Sequence, residues 1–237
     1  MRLNGSSALA RKVRRVTNSA ICRRTLSFDQ SLSRRDVACG SIAHTSIPCR
    51  GLMNLTSTMN LWTRIETKID NHLFLSSPRL LQMPFVYVTT ADAFELSETE
   101  KKNVKKFFDN GGFMVLETAT PQIENNQARA SLKEMIRETL DHARFEPIPM
   151  DHHLFHCFFD FEGKPPQGAE IGSSRSSINK TIHYLEGVWY KGRLAAVYSD
   201  KGYIVKWTDL TNNFPQLKMG INMIVYSLIQ DVGNAPK

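Results

Sequence analysis

The stretch 84–116, PFVYVTTADAFELSETEKKNVKKFFDNGGFMVL, decides the fold. Its opening, Pro84-Phe85-Val86-Tyr87-Val88-Thr89-Thr90, is a β-branched and aromatic run without polar alternation. Such a run suits a strand buried on both faces, hence a central strand of a parallel sheet. Leu96-Ser97-Glu98-Thr99-Glu100 then marks a helix start, with Ser97 as the capping residue and Glu100 reaching back to complete a capping box. The helix turns Val104, Phe107 and Phe108 inward and Lys101, Lys102, Lys105 and Lys106 outward, so its lysines read as a solvated face. Asn110-Gly111-Gly112 ends it, because glycine accepts the left-handed conformation of a helix cap. Phe113-Met114-Val115-Leu116 follows as a second buried strand. The whole is one β-α-β unit, right-handed by rule, and such units imply helices on both faces of a parallel sheet.

Upstream, Leu61, Trp62, Ile65 and Ile69 recur at helical spacing, which predicts an amphipathic helix from Met59. Downstream, Leu132, Met135, Ile136 and Leu140 form one stripe of a helix over about 127–142. Arg144-Phe145-Glu146-Pro147-Ile148 then extends, predicting another β-α-β step. Residues 153–161 are apolar and aromatic and read as a strand or extended segment, while the Gly/Ser/Pro-rich 163–181 reads as a long flexible loop. Lys191-Gly192 between two β-rich runs is a hairpin signal, and Leu217, Ile221, Ile224, Val225 and Leu228 predict a closing helix.

Charge separates the chain into parts. Residues 1–50 carry ten Arg/Lys against two Asp/Glu, leaving twenty against twenty-one in the rest, so the +7 of the 237 residues resides in the tail. The folded part therefore exerts no net pull on phosphate, and a nucleic-acid role for it is not expected. We divide the chain into a basic, disordered segment 1–53, an α/β domain 54–232 and a short tail 233–237. The basic segment suits a presequence, a nucleic-acid arm or an export signal at Arg34-Arg35. The apolar run after those arginines is short and broken by His44, so a cytoplasmic location is expected over export. Cys22, Cys39, Cys49 and Cys157 form no C-x-x-C pair, and no apolar run approaches the roughly 18 to 20 residues of a membrane span.

Several separated motifs fall in a recognisable order: Pro84-Phe85-Val86-Tyr87-Val88-Thr89, Leu96-Ser97 with Glu100, and Phe107-Phe108-x-x-Gly111-Gly112-Phe113. Asp151-His152-x-x-Phe155-His156-Cys157-Phe158-Phe159-Asp160-Phe161, Gly187-Val188-Trp189 with Gly192-Arg193-Leu194-Ala195, and Met219-Gly220-x-Asn222-x-x-Val225-Tyr226 complete the set. From about Asn54 to Gln230 the chain resembles the bacterial family catalogued as domain of unknown function 4159. The resemblance implies a three-layer, flavodoxin-like fold of the class I glutamine amidotransferase type, with a mostly parallel sheet. It also implies a strand before the first helix, for which residues 1–53 offer no counterpart. Amidotransferases place a nucleophilic cysteine at a strand-to-helix elbow. The corresponding position here is Glu117-Thr118-Ala119, without cysteine.

The densest polar constellation is Asp151-His152-His153 with His156, Cys157 and Asp160. On a strand His152 and His156 share a face, and with Asp151 or Glu117 they would hold a divalent metal; the competing reading is local hydrogen bonding. Glu117 and Thr118 end a parallel strand, where open α/β sheets gather their ligands. Cys157 reads as a small buried hydrophobe, and Lys201 and Trp207 fall in a segment read as either a surface loop or a buried rim. No glycine-rich phosphate loop occurs. These observations favour a non-enzymatic amidotransferase-like domain that binds a protein or small molecule at the carboxyl edge of its sheet. The alternative is a hydrolase or transferase built on Asp151, His152 and His156, with or without metal.

Overall fold

Around the β-branched run at Phe85 the sheet extends in both directions. The computed structural model describes residues 20–26, 36–42, 46–71, 73–121, 123, 126–170 and 182–230. In chain order come β1 (Ala20–Leu26), β2 (Asp36–Ile42), α1 (Ser46–Trp62), β3 (Ile65–Asn71), β4 (Phe85–Thr90), α2 (Glu98–Asp109), β5 (Phe113–Thr118) and α3 (Gln127–Thr139). Then follow β6 (Phe145–Pro147), β7 (Glu186–Tyr190), β8 (Arg193–Ser199), α4 (Tyr203–Lys206) and α5 (Phe214–Ile229). The strands form one sheet in the order β3-β1-β2-β4-β5-β8-β7-β6. β2, β4, β5 and β8 are parallel, and antiparallel pairs flank them on both sides.

β4 and β5 are buried at every position because helices cover both faces. On one face α1 and α5 pack Leu52, Leu55, Met59 and Ile221 against Tyr87 and Val115. On the other, Val104, Phe107, Leu132 and Ile136 of α2 and α3 pack on Val86, Val88 and Met114. Truncating any of these fully buried side chains to alanine would cost about 2–5 kcal/mol. The crossover from β2 through α1 to β3 runs toward one edge over the first face. Those from β4 through α2 to β5 and from β5 through α3 to β6 run the opposite way over the second, as right-handed connections require. The direction reverses between β2 and β4, so the loop after β4 borders the topological switch point.

The 84–116 unit forms as its sequence predicts. Ser97 Oγ accepts from the Glu100 amide at 3.4 Å, Glu100 Oε2 accepts from the Ser97 amide at 2.9 Å, and Gly111 takes φ 87°. β7 and β8 form the expected hairpin with Lys191 and Gly192 both at positive φ, and α5 closes the domain.

Three expectations are corrected. The helix predicted from Met59 ends at Trp62, and Ile65–Asn71 is a strand. Ile65, Thr67 and Ile69 are its better covered positions and Glu66 and Lys68 its exposed ones, a period of two. Asn60 fixes this return: its Oδ1 accepts from the Thr67 amide at 2.6 Å and its Nδ2 donates to the Thr67 carbonyl at 3.0 Å. Second, β2 supplies the strand before the first helix that residues 1–53 did not reveal, and β1 adds another. Its sequence, Asp36-Val37-Ala38-Cys39-Gly40-Ser41-Ile42, is made largely of small residues with little apolar contrast. The expected step through α3 does form: β6 is an edge strand antiparallel to β7 and therefore parallel to β5, from which β8 and β7 separate it. Third, where a strand or extended segment was expected, 153–161 contains a 3-10 turn (His153–Phe155) and no strand. Arg34-Arg35 and residues 171–181 of the expected flexible loop lie outside the described residues.

Candidate functional site

Glu117 ends the most buried strand pair and is fully enclosed. Tyr87 on the neighbouring strand donates its hydroxyl to Oε2, and Ser199 at the end of β8 donates to Oε1 at 2.7 Å. Two consecutive amides at the start of α4, Tyr203 N and Ile204 N, donate to Oε1 and Oε2 at 2.9 and 2.8 Å. Gly202, at φ 67°, turns the chain so that both amides face the carboxylate. Burial pushes the Glu117 carboxyl above the ordinary range, while the four donors oppose that shift. With about four acceptor sites on a carboxylate, Glu117 is saturated by the protein itself and ties α4 to three strands. Thr118, on the opposite face, accepts from Asn126 Nδ2 at 2.6 Å, and Asn126 caps α3.

Beside Glu117 lies an enclosed ion pair. Lys201 and Glu170 side chains are each 1% exposed and meet at 2.9 Å. Lys201 Nζ also donates to the Ile182 carbonyl at 2.5 Å, and Glu170 Oε2 accepts from the Gly168 amide at 2.6 Å. Sequence reading missed this pair, because an isolated lysine next to a glycine is a surface signal and its partner is 31 positions away. Trp207 is buried, with Nε1 donating to the Gln216 carbonyl at 2.8 Å, which decides its two readings in favour of a structural one.

The structure sets Asp151, His152 and His156 around a turn instead of along a strand face. His152 is its N-cap, with Nδ1 accepting from the Leu154 amide at 3.1 Å, and burial holds its pKa below the ordinary value. His156 closes the turn: Nε2 lies 2.8 Å from the Met150 carbonyl and Nδ1 3.1 Å from Asp160 Oδ1. Both of its partners are acceptors, an arrangement that favours the protonated ring, and its pKa is raised first by the Met150 carbonyl and then by Asp160. The pKa values of the two histidines are thus shifted in opposite directions. Among the described residues no group of three His, Cys, Asp or Glu converges to hold a metal ion. Cys157 lies 3.3 Å from the Asn222 carbonyl, and burial pushes its thiol to about 12. Asn222 spans the same loop, donating to the Leu154 and Phe159 carbonyls at 3.0 and 2.7 Å and accepting from the Phe159 amide at 2.8 Å.

On the α2/α3 face the carboxyl edge is open. A cleft of about 700 Å³ lies between loop residues 93–96, which follow β4, and the outer stripe of α3. Buried Phe94, Leu96 and Met135 form its floor, and Glu95, Glu134 and Glu138 stand at its rim with Arg137. Ser131 Oγ accepts from the Phe94 amide at 3.1 Å and fixes one wall to the other.

A family model described as Domain of unknown function (DUF4159) matches residues 41–228. The chain belongs to this family. No curated protein matches it. In this DUF4159 domain the separated motifs do traceable work. Asn222 and His152 secure the 150–161 turn, and the Phe107 to Phe113 motif closes the β-α-β unit. Gly220 lets α1 approach α5 so closely that a Cβ there would stand 2.7 Å from both Leu55 and Trp207. Among the described residues no helix is long and apolar enough to cross a membrane.

Proposed function

We propose that this DUF4159 domain is a non-enzymatic, flavodoxin-like domain of the amidotransferase type that binds a ligand or partner at the carboxyl edge of its sheet. One contrast supports the reading. The polar groups on which strand-end chemistry would depend, Glu117, Thr118 and Ser199, are consumed by internal hydrogen bonds. The cleft between 93–96 and α3 on the same edge stays open, and its volume is that of an ordinary ligand site. The alternative built on Asp151, His152 and His156 would need a free imidazole. His156 spends both nitrogens on Met150 and Asp160, and His152 spends Nδ1 on a backbone amide.

The test is a ligand-observed NMR screen of neutral fragments against the full chain and against Ala130→Trp, which fills the cleft from the exposed side of α3. Fragments that bind the parent chain and are lost in the variant support the reading. Fragments that bind equally to both overturn it.

A further inference from the structure

We infer that the cleft between 93–96 and α3 receives a basic, amphipathic peptide segment of a partner protein, in extended conformation. This deepens the binding reading above and rests on it. Charge gives the class of ligand. Around the cleft the carboxylates of Glu95, Glu98, Glu134 and Glu138 face two cations, Lys101 and Arg137. Lys101 is shared between Glu98 at 3.1 Å and Glu138 at 3.4 Å, and Arg137 reaches Glu134 at 3.4 Å. Two negative charges are left in excess at the rim, over an apolar floor of Phe94, Leu96 and Met135. Lysine and arginine side chains fit both features, because their aliphatic stems cover apolar surface while their heads stay at the wet rim.

Shape gives the form of ligand. The lining positions on α3 run from Gln127 to Glu138, about 16 Å at the rise of an α-helix. That length matches about five residues of extended chain. Alternation along such a segment places one set of side chains on the floor and the other toward the carboxylates.

The experiment measures fluorescence anisotropy of a five-residue peptide alternating lysine and leucine, carrying a neutral fluorophore, with the full chain. Its controls replace lysine by glutamine or by glutamate. Binding of the lysine peptide is expected, with affinity lowered about tenfold in Glu95→Gln/Glu134→Gln and reduced by added salt. Arg137→Gln is expected to tighten binding, and Ala130→Trp to abolish it. Equal binding of the glutamine peptide, or affinity unchanged in the double variant, overturns the inference. Spermidine displacing the peptide at equal concentration also overturns it, since the chemistry would then be that of a free polyamine. Neutral fragments that still bind in an Ala130-dependent manner would leave the general binding reading standing. Loss of that dependence would remove both.

Discussion

Replacing Lys201 by methionine would leave the Glu170 carboxylate enclosed without its counter-charge. Both side chains are 1% exposed, so solvent cannot take over the role of the ammonium. Breaking one partner of a buried pair costs about 3–5 kcal/mol, mostly the penalty of the stranded charge, whereas replacing both partners is far milder. The loss is a large share of the roughly 5–15 kcal/mol that holds a domain folded. With a urea slope of about 2 kcal/mol per molar, the unfolding midpoint of Lys201→Met should fall by roughly 1.5–2.5 M. Tryptophan fluorescence, to which buried Trp207 at the C-cap of α4 contributes beside Trp62 and Trp189, reports the transition. Lys201→Met/Glu170→Gln keeps an acceptor for the Gly168 amide and removes the charge, so it should regain more than half of the loss. A midpoint change below about 0.5 M in the single variant, or no recovery in the double, would refute the assignment of this pair as a buried ionic clasp.

Asn222→Leu removes three hydrogen bonds from the 154–159 loop and should cost about 3 kcal/mol, with the Phe159 amide exchanging faster than those of β5 in hydrogen-exchange NMR. Glu117 has a folded pKa above its unfolded value of about 4.3. Its proton-linked contribution is therefore complete below that value and is lost as pH rises through the folded one. The stability gap between wild type and Glu117→Gln should narrow with rising pH across that window, and a gap that widens in equilibrium unfolding would contradict the shift. In proton NMR, His156 should titrate above and His152 below the ordinary value of about 6.5; a reversed order would refute the hydrogen-bond assignments at both rings. Cys157 should resist iodoacetamide in the native chain and react on unfolding, as mass spectrometry would read.

Signals confined to neighbouring residues were legible in the sequence. The capping box at Ser97 and the turn at Gly111 act within a few positions, so the 84–116 unit could be read without its surroundings. Ile65 and Ile69 fit both a helical stripe and an alternating strand. Pairing with β1 and the hold of Asn60 on Thr67 decide between them, and both are tertiary. The 153–161 run reads as a strand or extended segment by composition, yet Asn222, more than 60 positions later, shapes it into a turn. Of the candidate site, Glu117 and Thr118 were found by their place at a strand end. Their saturation was not, because Tyr87, Ser199 and α4 approach from distant segments. The cleft was equally hidden, since no single element contains both of its walls.

One ammonium group grips the chain on both sides of residues 171–181, holding Glu170 by its carboxylate and Ile182 by its carbonyl. Glu170 and Ile182 are in this way pinned to one bracket. Lys201 thereby couples two points twelve positions apart in the chain, so losing its ammonium releases both anchors at once.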